Sequence, residues 1–180
     1  MLATRTKASI DSVARTLNHL APTVQTLAVD TDVSSPDQVD HLFRLTVEQF
    51  ERVDVVVHCA GILGPLEKIG DADPGPWFEA FVRLSNSHHK PTTTCLHLLY
   101  VVQNINAKGT FLVARALIRA AKGADATFVH AGTAASYLAS PGQSAYTASK
   151  AADNMIVDQL HIGMYSSDLY KLSLSAVSLS

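Results

Sequence analysis

The sequence predicts an α/β fold in which a parallel sheet is covered on both faces by helices. Apolar runs at Val24–Val29, Val53–Val57 and Thr127–His130 have the length and composition of buried strands. The segments after Leu2–Thr4 and Val24–Val29 carry apolar residues at helical spacing, so strand and helix alternate along the chain. Small-residue and polar motifs follow the strands directly, where ligands of such sheets bind, outside the carboxyl ends.

In chain order, Leu2–Thr4 reads as the end of a strand, followed by Arg5, Thr6 and Lys7. A helix then runs to about His19, with Ile10, Val13, Ala14, Leu17 and Leu20 as its apolar face. Arg5, Lys7 and Arg15 with few acids faintly resemble an import leader, but the packed helix is the simpler reading. Val24–Val29 leads into Asp30–Val33, and Ser34–Asp37 reads as a helix cap with Pro36 in the first turn. Val39, Leu42, Phe43, Val47 and Phe50 then form a helical stripe. Val53–Val57 ends at His58–Cys59–Ala60–Gly61, where Cys59 reads as a small buried hydrophobe. Farther on, Thr127–His130 is followed by a small-residue loop over Gly132–Gln143. A helix starts at the Ser144 cap and runs to Ile162, with Met155, Ile156 and Leu160 inward.

Length and composition narrow the function. A chain of 180 residues, 47% of them hydrophobic, suits one domain with a sizeable core. The net charge of −2 with interspersed signs argues against a nucleic-acid or anionic-membrane surface. No apolar run approaches the ~20 residues that span a bilayer. Two cysteines are too few for a disulfide framework, so a reducing, cytoplasmic compartment is expected. His88, His89, Cys95 and His97 lack the tight, repeated spacing of a zinc site, and no metal is expected.

The chemistry concentrates between Thr127 and Lys150. Tyr146 and Lys150 lie four residues apart on the last helix, hence on one face. An ammonium beside a phenol stabilises the phenolate, and such a phenol can exchange a proton with a carbonyl or alcohol oxygen near neutral pH. Thr133, on the loop upstream, offers a hydroxyl to the same oxygen. Tyr-x-x-x-Lys alone is common by chance, and a half-buried tyrosine beside a solvated lysine is its bland reading.

The full string S-A-Y-T-A-S-K-A-A, after a strand and a hydroxyl-bearing loop, resembles the short-chain dehydrogenase/reductase family. The resemblance covers most of residues 1–160. It implies a Rossmann-type doubly wound sheet and hydride transfer between a nicotinamide and a carbonyl/alcohol substrate. By resemblance, Tyr146 is the general acid/base, Lys150 holds the cofactor ribose, Thr133 replaces the usual serine and Asn106 holds a proton-relay water. Cofactor contacts fall on Arg5, Asp32, Val33, Ala60 and Gly61, besides Tyr146 and Lys150. Asp32 stands where the family meets the adenine ring, or it is simply a turn-former. Arg5, beside Thr4 at the family's acidic position, favours NADP over NAD; the alternative is a solvated charge. Where the family has Asn-Asn-Ala-Gly, this chain has His58–Cys59–Ala60–Gly61. The resemblance also implies a homo-oligomer through the helices at 104–122 and 144–162.

Three departures accompany it. The family's first strand and its Gly-rich phosphate turn have no counterpart here, so an incomplete sheet is expected, lacking that strand and the C-terminal ones. Residues 82–103 read as a non-family insert between Trp77–Phe81 and the helix beginning Asn106–Ala107–Lys108–Gly109. Residues 163–180 read as a disordered non-family tail. A partial domain over 1–162 follows, with two readings of function: an oxidoreductase, or an inactive chain acting by association with a longer relative.

Overall fold

The computed structural model describes residues 1–64, 66–74, 77, 102–122, 125–165 and 172–179. Strand β1 (Leu2–Thr4) leads into helix α1 (Lys7–Leu20), strand β2 (Ala28–Asp30), helix α2 (Pro36–Phe50) and strand β3 (Val55–His58). Gln103 leads into a π-helical turn, Asn104–Lys108, which continues as α3 (Gly109–Ala121). Strand β4 (Ala126–Thr133), a 3-10 turn (Ala134–Ser136), helix α4 (Ser144–Tyr165) and strand β5 (Leu172–Leu179) complete the order.

All described strand pairs are parallel, as the strand–helix alternation requires. They form two sheets. In one, β1 pairs with β2, Leu2 opposite Ala28 and Thr4 opposite Asp30. In the other, β4 lies between β3 and β5. Val55 stands opposite Thr127 and His58 opposite His130. Among the described residues no strand joins β1 to β3. Val55 and Val57 remain 57% and 63% exposed along β3.

Helix packing holds the two sheets together. Val39, Leu42 and Phe43 of α2 meet Leu112, Val113, Ala116 and Leu117 of α3, and the cluster reaches Val29 on β2, Phe128 on β4 and Val157 on α4. The start of α2 is built as its sequence suggests. Ser35 caps it, its Oγ accepting from the Gln38 N–H at 3.5 Å, with Pro36 in the first turn. Phe128 is fully buried at the centre of β4. Phe128→Ala is expected to cost about 3–5 kcal/mol in urea unfolding, because so enclosed a site cannot collapse around the void. A loss below about 1 kcal/mol would contradict this packing.

Several expectations are corrected. On α1 only Ile10 is fully buried, while Val13 and Leu20 are 49% and 73% exposed. A two-stranded sheet of three-residue strands offers too little surface for the whole apolar stripe. Met155, expected inward on α4, is exposed, and Cys59 is exposed rather than buried. Helix α4 continues to Tyr165, and the tail expected to be disordered contributes β5, which pairs along β4 from Leu172 to Leu179. Its alternation of apolar residues and serine, L-S-L-S-A-V-S-L, has the two-residue period of a strand.

Val102 and Gln103, placed by the sequence in an insert, belong to the helix that enters the π-turn. Val102 is fully buried and Gln103 donates to the Ala145 carbonyl at 3.5 Å. The rest of that insert, with His88, His89, Cys95 and His97, lies outside the described residues. No helix among the described residues is long and apolar enough to cross a membrane.

Candidate active site

A cavity of about 700 Å³ fills the gap between the two sheets, running along β3 from Arg52–Asp54 to His58 and reaching the carboxyl ends of β1, β2 and β3. Arg5, Thr31, Val33, Cys59, Ala60 and Gly61 are among its walls. Four of the five residues expected around a cofactor, besides Tyr146 and Lys150, therefore converge here: Arg5, Val33, Ala60 and Gly61. The fifth, Asp32, is occupied locally. Its Oδ1 accepts from both the backbone N–H and the hydroxyl of Ser34, at 2.9 and 2.8 Å. This is the turn chemistry that was one of its two readings. Val33 also sets how closely α3 approaches. A Cβ on Gly109 would stand 2.9 Å from Val33 Cγ2.

Tyr146, Lys150, Thr133 and Asn106 are not in that wall; Gly61 links the two groups. A Cβ at Gly61 would lie 3.4 Å from both Lys150 Nζ and Asn106 Oδ1. The missing side chain therefore lets the lysine head and the asparagine amide approach the end of β3. Asn106 is fully buried in the π-turn, a distortion common at functional sites. Its Oδ1 accepts from the Ile62 N–H at 2.9 Å, and its Nδ2 donates to the Ile62 carbonyl at 3.0 Å and to Ser149 Oγ at 2.8 Å. These bonds clamp the segment after β3 to α4, and they use both amide hydrogens.

Thr133 closes β4. Its Oγ1 accepts from the Ala135 N–H at 3.3 Å, capping the 3-10 turn. Its carbonyl accepts from the Ser136 hydroxyl, which in turn accepts from Asn154 Nδ2 of α4 at 2.8 Å. Tyr146 is half-buried on the first turn of α4. Lys150 is buried, and its Nζ donates to Asp153 Oδ2 at 2.8 Å.

Three residues that sequence reasoning passed over complete the interior of this site. Asp153 Oδ2 also lies 3.4 Å from His130 Nε2, with both side chains essentially inaccessible. His58, opposite His130 across the β3–β4 ladder, stacks on it at 6.0 Å between ring centroids. Burial, with the charges of His130 and Lys150, pushes the His58 pKa down to about 3. His130 is also lowered, chiefly by burial and opposed by Asp153. The signal was present in the sequence: V-V-V-H and T-F-V-H are two apolar strands each closed by histidine. Lys150 and Asp153 stand three apart on one helix face.

Parallel strands alternating with helices, with a cavity that reaches the strand ends, match an incomplete form of the doubly wound α/β class, whose ligands bind at those ends. The profile described as short chain dehydrogenase matches residues 1–168, across both the 82–103 segment and the start of the tail. The chain belongs to the short-chain dehydrogenase family. A 2-(R)-hydroxypropyl-CoM dehydrogenase of Xanthobacter autotrophicus is 32% identical over 153 residues, 81% of this chain and 53% of that protein. Among solved structures, a metagenomic short-chain oxidoreductase in complex with NADP superposes with a TM-score of 0.72 at 20% identity, over 97% of this chain and 68% of the other. A short chain dehydrogenase/reductase from Burkholderia phymatum in complex with NAD gives 0.75 at 20% identity, over 99% and 56%. The chain spans from about a third to about half the length of the curated relatives it matches.

Proposed function

We propose that this chain carries the site of an NAD(P)-dependent oxidoreductase that interconverts a small carbonyl compound and its alcohol. The reading is carried by one observation. Gly61, at the edge of the strand-end cavity, is approached within 3.4 Å of its absent Cβ by Lys150 Nζ from the tyrosine-bearing helix. At the strand ends the cavity is walled by the small residues Ala60 and Gly61 beside Val33, which allow close approach of a ligand there. A bound nicotinamide would supply or accept the hydride.

In this reading Tyr146 is the general acid/base, giving its phenolic proton to the carbonyl oxygen in reduction and receiving one from the alcohol in oxidation. Thr133 donates a hydrogen bond to the same oxygen, since its Oγ1 accepts from Ala135 and retains its proton for donation. Lys150 presents its ammonium to the cofactor ribose. Asn106 holds the relay water in this reading, and the bonds of its amide support a scaffold role besides, holding the end of β3 against α4.

Arg5, exposed at the cavity rim, is the residue of choice for a 2′-phosphate, which favours NADP over NAD. Fluorescence titration with NADPH and NADH tests both the site and this preference. NADPH is expected to bind saturably. Arg5→Ala is expected to weaken NADPH by about 10-fold while leaving NADH unchanged, as loss of one exposed charge-assisted hydrogen bond implies. No saturable binding of either nucleotide by the folded chain would overturn the reading.

Association through α3 and α4 is the second reading. Phe111, Met155 and Ile162 are 50%, 58% and 62% exposed on those helices, apolar surface that association would cover. A monomer by sedimentation at micromolar concentration would count against it.

A further inference from the structure

Asp153 has no part in the reaction just described, yet it is fully buried three residues beyond Lys150. Its Oδ2 accepts from Lys150 Nζ at 2.8 Å and stands 3.4 Å from His130 Nε2 of β4. Its Oδ1 has no hydrogen-bond partner among the described residues. An ammonium drawn into the interior costs several kcal/mol unless a counter-charge receives it, and a free lysine would snorkel its head to water. Lys150 is only 5% exposed. One of its three ammonium hydrogens is spent on Asp153, which leaves two for the side facing Gly61.

The charged and titratable groups around this carboxylate come from every element packed on it. Lys150 belongs to the same helix, His130 to β4, and His58 to β3 through its stack on His130. Neutral histidines on the strand side and one ammonium on the helix side leave Asp153 as the counter-charge that keeps Lys150 in place.

We propose that Asp153 is a positioning residue, a buried carboxylate between α4 and β4 that holds the Lys150 ammonium at the cofactor end of the site. The proposal rests on the reading that Lys150 serves a nicotinamide nucleotide. Without Asp153, burial favours the neutral amine or drives the head outward, and either change removes the charge from the ribose side.

The test is NADPH titration of the full chain and its Asp153→Asn variant at pH 7 and pH 9. The variant is expected to bind about 10-fold more weakly at pH 7, with a further loss at pH 9 that the parent chain does not share. Equal affinity of both proteins at both pH values would overturn the proposal, because a merely structural aspartate would not make nucleotide affinity pH-dependent. If the parent chain binds no NADPH, the nicotinamide reading falls, and the Lys150–Asp153 clamp is then read from urea unfolding. The same measurement serves if Asp153→Asn does not fold. Lys150→Met and Asp153→Leu are each expected to lower the urea midpoint, and the double variant to recover most of it, since apolar isosteres can replace a buried pair. A double variant no more stable than either single one would overturn the clamp.

Discussion

Tyr146→Phe is expected to lower carbonyl reduction by about 100- to 10,000-fold, the contribution of a positioned general acid. The substitution removes one oxygen from a half-buried ring. The hydrogen bond recorded at this residue runs from the Ser149 hydroxyl to the Tyr146 carbonyl, so the backbone is untouched. Fold and nucleotide affinity should therefore be preserved while turnover is lost. The measurement is NADPH oxidation by the parent chain and the variant with a panel of small ketones and aldehydes, beside NADPH titration of both. Equal turnover in the two proteins would remove Tyr146 from the chemistry. Lys150→Ala would be a poorer probe, because it leaves the Asp153 carboxylate buried without its cation, a change that costs about 3–5 kcal/mol in stability by itself.

The stability of this protein should fall steadily as the pH is lowered below about 6.5, because of His58. His58 titrates near 6.5 in the unfolded chain but only at about 3 in the fold. Between those values the unfolded state binds a proton that the folded state refuses, so stability falls as pH falls. The loss is absent above pH 6.5 and grows by about 1.4 kcal/mol per pH unit, reaching about 3 kcal/mol from His58 by pH 4.5. His130, lowered chiefly by burial, adds to it in the same direction. Against a typical total of about 5–15 kcal/mol this is a large share. Urea midpoints measured from pH 7.5 down to 4.5 should decline through this window. His58→Asn, with no group to titrate there, should decline less steeply. Parallel declines for the two proteins would show that His58 does not carry the effect.

The two histidines show where the sequence was legible and where it was not. V-V-V-H and T-F-V-H are visible as runs, but that β3 and β4 are neighbours in the register opposing His58 to His130 is a property of pairing. Pairing partners are set by long-range contacts that no local window contains. Asp153 escaped for a related reason. On an alanine-rich helix an acid three residues after a lysine reads as a solvated pair, and only packing α4 against β4 makes it interior. Asn106 was found by its place before Lys108–Gly109, yet its amide bonds to Ile62 and Ser149, both distant in sequence, which no local window contains.

Other elements were local enough to read. The Ser35–Pro36 cap, the apolar stripe of α2 and the tyrosine–lysine helix are decided within one or two turns of chain, where side-chain type and spacing act directly. The tail shows the opposite weighting: its two-residue period was present, but a strand needs an edge to pair with, and β4 supplies it.

By itself, then, the sequence determined the alternation of strand and helix, the Ser35 cap, and the placing of Tyr146 and Lys150 four residues apart on one helix, because these rest on short-range periodicity and residue type. Only the tertiary structure decided that the strands form two sheets with a cavity between them, and that Lys150 and Asp153 pair in the interior beside His130 and His58. Burial and electrostatic pairing depend on which elements meet, and that is settled by the whole chain at once.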